Sequence, residues 1–209
     1  MIYYISDPHF GNEAVLKHDA RPFASVQEMD ATLIQNWNRV VTAEDTVYML
    51  GDLGFHDSPI PGRQLARLAG HKHLIRGNHD TGLKNQRKLF HYFESVTDFL
   101  EIDDGGFHIT LCHYPIVYAQ RGYMIHGHFH HHHARPEVFS VLKGLTRVMN
   151  AAVDLNHFQP VTLDELIVNN QAYYQDPERG REVIRHGGDH GGWKAEFHPL
   201  PVKRQEGPR

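Results

Sequence analysis

Along the first hundred residues, short apolar runs alternate with stretches whose apolar positions recur every three or four residues. Ile2–Ile5 is an apolar run closed by Ser6, Asp7 and Pro8, which predicts a strand ending in a loop. From Ser25 the period lengthens. Val26, Met29, Leu33, Trp37 and Val40 mark one helical face, and Ser25 with Glu28 has the spacing of a capping box. Residues 46–50 predict a second strand ending at Gly51 and Asp52. A short helix over 61–68 follows, with Gly70 as its stop. His71–Ile75 predicts a third strand ending at Arg76, Gly77, Asn78 and His79, followed by a polar helix over 83–90.

Beyond Asp98 the pattern is mainly that of strands. Residues 99–102 and Phe107–Cys112 flank the turn signal Asp103, Asp104, Gly105 and Gly106 and predict a hairpin. Tyr123–His126 and residues 145–149 add two more strands. Thr162 and Glu165 have the spacing to cap a last helix running into Val168. Strand–helix alternation first and mainly strands later predicts an α/β fold, with two packed mixed β-sheets flanked by helices. Residues 1–175 are read as one domain. Residues 176–209 are polar, poor in aliphatic side chains, and read as a flexible tail.

The polar clusters fall directly after predicted strands, where open α/β sheets place their ligands. They are Asp7 and His9, Asp52, Asn78, His113, and His128 with His130. Carboxylate, amide oxygen and imidazole without thiolate suit Mn²⁺, Fe or Zn²⁺ better than Ca²⁺ or a structural zinc. Seven side chains exceed one tetrahedral site and suffice for two ions if one carboxylate bridges them. Composition points the same way, with 19 histidines, six of them between His126 and His133. His131, His132 and His133 read as a solvated loop outside the site. The net charge of −4 gives no footprint for long nucleic acid. The single cysteine, Cys112, excludes an internal disulfide and fits a reducing compartment. No apolar run approaches the roughly 20 residues of a membrane helix. The N-terminus lacks a basic leader, so a cytoplasmic location is expected.

Taken in order, Asp-x-His, Gly-Asp, Gly-Asn-His-Asp, a lone His after a strand, and Gly-His-x-His resemble the calcineurin-like metallophosphoesterase superfamily, in its small single-domain microbial and phage branch. The motifs span residues 7 to 130. The resemblance implies that Asp7, His9 and His130 hold a first metal ion and that Asn78, His113 and His128 hold a second. Asp52 bridges the two, and His79 is the catalytic histidine beside the scissile phosphate. It further implies two divalent transition ions (Mn²⁺ foremost; Fe, Zn²⁺ or Ni²⁺ otherwise). The implied activity is hydrolysis of phosphomonoesters or phosphodiesters by a hydroxide bridging the ions. The substrate is then a small phosphate ester or nucleotide; the alternative is a non-catalytic scaffold of the same fold.

Asn12 and His126 are read as substrate-side candidates, while Arg21 and Arg76 read more readily as loop braces. One departure stands out. In the protein serine/threonine phosphatase branch a second Asp of the Gly-Asp stretch partners the catalytic histidine, and Phe55 falls at that place here. That counts against a protein-phosphatase role and leaves the group that orients His79 to be found. Asp80 is its neighbour in sequence only.

Overall fold

The computed structural model describes residues 1–83, 86–117, 122–131 and 136–175. Four parallel strands, β1 (Ile2–Ile5), β2 (Thr46–Met49), β3 (His71–Ile75) and β4 (Ser95–Thr97), form one sheet in that order. β5 (Phe99–Asp104), β6 (Phe107–Cys112), β7 (Tyr123–His126) and β8 (Val148–Asn150) form the other. In it β5 runs antiparallel to β6, and β6, β7 and β8 are parallel. The second sheet is thus mixed, whereas the first is parallel throughout.

Alternation along the strands builds the layers, because successive side chains of a strand point to opposite faces. Tyr3 and Ile5, Val47 and Met49, and Leu74 pack into one core with Met29, Leu33, Ile34 and Trp37 of α2 (Val26–Val40). Tyr4, Leu50 and Ile75 turn the other way, to meet Ile109, Leu111, Ile125 and Met149 between the two sheets. Each such fully buried side chain contributes about 1.5–3 kcal/mol of transfer free energy. Ser25 starts α2 by accepting the Glu28 amide at 3.2 Å, as its spacing predicts. At α5 (Leu163–Gln175) Thr162 Oγ1 accepts the Glu165 amide at 3.5 Å, and Glu165 Oε2 accepts the Thr162 amide at 2.8 Å. Outside the second sheet, Leu142 of α4 (Pro136–Gly144) packs on Met124 and Val148.

Several elements differ from the sequence pattern. The polar helix expected over 83–90 is instead two 3-10 segments, Asp80–Gly82 and Gln86–His91. The helix expected over 61–68 shrinks to α3 (Gly62–Leu65), a single turn. A short α1 (Ala14–His18), β4 and α4 were not expected. Three- to five-residue elements carry too few periods to stand out, and their pairing partners decide them. Residues 176–209, the expected tail, lie outside the described residues, as do 132–135 of the histidine loop. No helix of the described residues is long and apolar enough to cross a membrane.

Candidate metal centre

The carboxyl ends of β1, β2, β3, β6 and β7 converge where the two sheets meet. Backbone bonds tie the loops together: Asp7 N to Gly51 O (3.0 Å), Ser6 N to Ala151 O (2.9 Å) and Gly127 N to His113 O (3.0 Å). The approach is close enough to demand glycine. A Cβ on Gly51 or Gly77 would overlap the other loop, and one on Gly127 would lie 2.5 Å from Asp7 Oδ2. Asp7, His9, Asp52, His128 and His130 all have positive φ, between 43° and 71°. Left-handed backbone is unfavourable for such side chains and concentrates where function overrides local preference.

Ligand-type atoms collect there in two groups. Asp7, His9, Asp52 and His130 bring theirs within 4.8 Å of one another, and so do Asp52, His113 and His128. Asn78 joins the second group, its Oδ1 lying 3.0 Å from both His113 Nε2 and His128 Nδ1. Asp52 belongs to both, with Oδ2 at 3.7 Å from His9 Nε2 and 3.5 Å from His113 Nε2. All seven side chains expected to bind metal therefore stand in one cluster.

The far nitrogen of each imidazole fixes what the near one can do. His9 Nδ1 donates to Gly54 O at 3.0 Å and His113 Nδ1 to Leu50 O at 2.7 Å, so each aims an Nε2 lone pair into the cluster. His130 Nδ1 meets a carboxylate instead, Asp19 Oδ2 at 2.9 Å. Its Nε2 lies 3.2 Å from both His9 Nε2 and Asp7 Oδ1. Burial opposes charge on His130, but the Asp7 and Asp19 carboxylates, with Asp154 behind, raise its pKa well above the usual range. Burial likewise opposes charge on Asp7, and the facing His130 nevertheless holds it well below the usual carboxylate range. Burial and then the charge of Asp7 push Asp52 up to about 6, and burial takes His9 down to about 3. Carboxylate oxygens and imidazole nitrogens facing one another at these distances form a donor set suited to a cation.

A buried frame stands behind the cluster. Arg21 donates to both oxygens of Asp154, at 2.9 and 2.8 Å, and to the carbonyls of Asp7 (2.8 Å) and Pro8 (3.0 Å). It is a brace, not a phosphate contact. Asn150 Nδ2 donates to His130 O at 2.9 Å and pins that loop to β8. Asp80 Oδ2 accepts the amides of Asp52 and Gly77, both at 2.8 Å, and Oδ1 accepts that of Leu53 at 2.9 Å. It clamps two ligand loops together and has no bond to the His79 ring.

What orients His79 is the backbone. The His56 amide donates to His79 Nδ1 at 3.1 Å, so a neutral His79 carries its proton on Nε2. Burial, followed by His56, lowers the His79 pKa and favours that neutral form. Phe55, at the position of the missing Asp, packs its ring 5.9 Å from the His79 ring.

Of the remaining candidates, Asn12 is buried, and its Oδ1 accepts the Ala14 amide at 3.0 Å ahead of α1. His126 is fully buried; its Nδ1 donates to Gly127 O at 2.7 Å and its Nε2 has no partner among the described residues. It lies beneath the loop rather than on an open substrate surface. Arg76 pairs with Asp98 at 2.7 Å, and Cys112 is partly buried against the third apolar cluster. Nothing in the local sequence marks Asp19 or Asp154, ordinary isolated carboxylates until the fold brings them to His130.

The family model described as calcineurin-like phosphoesterase matches residues 1–203. The chain is similar to the uncharacterized protein MJ1445 of Methanocaldococcus jannaschii, 35% identical over 79% of this chain and 89% of that protein. It is also similar to the Gene 66 protein of Mycobacterium phage L5, 33% identical over 55% of this chain and 63% of that one. Among solved structures, the protein of unknown function AQ665 from Aquifex aeolicus superposes with a TM-score of 0.63 at 27% identity, covering 79% of this chain and 96% of that one.

Proposed function

The chain belongs to the calcineurin-like phosphoesterase family, and from that premise we propose that it hydrolyses phosphomonoesters or phosphodiesters at a centre of two divalent cations. The observation that carries this reading is the position of Asp52 in both ligand groups, with its Oδ2 facing both while Oδ1 accepts the His79 amide. Asp7, His9 and His130 complete one group, and Asn78, His113 and His128 the other. When bound, two divalent transition ions, Mn²⁺ foremost, would offset phosphate charge and supply a water acidic enough to attack phosphorus at neutral pH.

The protein's own residues supply the rest. His79 is the hydrogen-bond donor to the leaving oxygen. With Nδ1 engaged by the His56 amide, its Nε2–H is available to the departing oxygen. Asp80 keeps the loops of Asp52 and Asn78 in mutual register by gripping three amides. Small phosphate esters or nucleotides are the fitting substrates, since a net charge of −4 offers no surface to long nucleic acid. A cytoplasmic location accords with the lone Cys112. The non-catalytic scaffold reading is weaker, because all seven ligand-type side chains and His79 are present and converge.

The test is a hydrolysis panel with Mn²⁺ comparing p-nitrophenyl phosphate, its bis-ester and nucleotides, before and after chelation. Turnover that vanishes on chelation and returns with Mn²⁺ is expected. Full activity in demonstrably metal-free protein, or none on any ester with metal bound, overturns the reading.

A further inference from the structure

Two aromatic rings at the centre are half exposed, Phe55 at 49% and Tyr114 at 47%. They pack on different residues of it. Tyr114 packs edge-on against two candidate ligands, with centroids 4.8 Å from His128 and 5.1 Å from His113. Its ring is engaged in holding those imidazoles. Phe55 lies at the His79 end, tilted 35° from the His79 ring at 5.9 Å, and none of its ring contacts is to a candidate metal ligand. An exposed aromatic face beside a polar reaction centre is more than an isolated surface apolar residue. It offers a stacking platform within the site itself.

The direction of the chemistry decides which part of a substrate meets that platform. His79 carries its proton on Nε2, because Nδ1 accepts from the His56 amide, so the leaving oxygen departs toward His79. The body of the leaving group then lies at the end of the site where Phe55 stands. Resting on the hydrolase reading above, we infer that Phe55 stacks on the base of a nucleoside leaving group and sets the substrate class as nucleoside phosphoesters. In the reaction a water oxygen bonds to phosphorus and the P–O bond to the nucleoside breaks. The nucleoside leaves as its alcohol, its oxygen steadied by a hydrogen bond from His79 Nε2–H and taking up the proton that the attacking water gives up. Stacking tolerates any base, since each has a π face, so the preference is for a base rather than for a particular one.

Adenosine 5′-monophosphate and ribose 5-phosphate isolate this contribution, because they share the ester and differ in the base. Calorimetric binding to the Mn²⁺-loaded protein, with turnover alongside, is measured for the unaltered chain, Phe55→Ala and Phe55→Tyr. The nucleotide is expected to bind about 10- to 100-fold more tightly than ribose 5-phosphate, the usual worth of one stacked base. Phe55→Ala should erase that gap while ribose 5-phosphate binding stays within about threefold, and Phe55→Tyr should preserve the gap. Equal binding of the two ligands, or a gap that survives Phe55→Ala, overturns the inference. Base-dependent binding without turnover of either ester would instead sink the hydrolase reading and leave the stacking site standing.

Discussion

Asp19 accepts the Nδ1–H of His130 at 2.9 Å, whereas the corresponding nitrogens of His9 and His113 donate only to backbone carbonyls. Asp154, itself held by Arg21, brings its Oδ2 to 3.9 Å from the same His130 nitrogen. A carboxylate on the far nitrogen makes an imidazole a stronger ligand and fixes which nitrogen faces the ion. The two ligand groups therefore differ in charge although both draw on Asp52.

From this, Asp19→Asn keeps a hydrogen-bond acceptor but removes the charge. It should weaken the cation held by Asp7, His9 and His130 by about 10-fold, and Asp19→Ala by up to about 100-fold. The group of Asn78, His113 and His128 should be largely unaffected. Metal titration followed by elemental analysis reads this directly; equal loss from both groups would contradict it.

The protonation pattern predicts how loading depends on pH. Without metal, His130 keeps its proton at neutral pH because Asp7 and Asp19 raise its pKa, so a cation must displace that proton. Asp52, pushed up to about 6 by burial and Asp7, takes up a second proton as pH falls through that value. Mn²⁺ affinity should fall about tenfold per pH unit for each proton displaced. Below pH 6 the slope should steepen. Calorimetry in buffers of different ionisation enthalpy measures the protons released, and a pH-independent affinity would refute the pattern.

Arg21 and Asp154 form a buried pair with side chains 0% and 1% exposed. Removing one partner strands the other charge, at a cost of about 3–5 kcal/mol. Arg21→Ala should therefore lower the melting temperature sharply and loosen the Asp7–Pro8 backbone that Arg21 also grips. The pH dependence has a definite sign. Burial raises the Asp154 pKa but Arg21 outweighs it, leaving it well below its ordinary 3.8. The pair's stability is then present above about pH 4 and lost as pH falls below it. Melting curves of the unaltered chain and Asp154→Asn from pH 7 to pH 3 check this, since the variant should lose less on acidification.

The clustered positions proposed to hold metal were legible in sequence because each follows a short apolar run, and parallel strands deliver their carboxyl ends to one place. Asp7, Asp52 and Asn78 needed no tertiary knowledge beyond that. Asp19 and Asp154 were not legible, since nothing local distinguishes a carboxylate that will lie against His130 from one that faces solvent. The orienter of His79 was hidden for another reason. It is a main-chain amide, His56 N–H, and a backbone donor has no residue type to recognise. Asp80, the sequence neighbour, spends its oxygens on three amides instead. The polar helix over 83–90 failed as a prediction because apolar spacing was weak there and short 3-10 turns satisfied the chain.

The division of labour between two adjacent residues bears most directly on the whole account. Metal per chain, measured by elemental analysis with turnover in the same samples, is compared for the unaltered protein, Asn78→Ala and His79→Ala. Asn78→Ala should shed or loosen one ion, having lost the oxygen that lies 3.0 Å from His113 and His128. His79→Ala should keep both ions while turnover falls by about 10²–10⁴-fold, the worth of one positioned donor to the leaving oxygen. Loss of metal from His79→Ala with both ions retained by Asn78→Ala would contradict the account.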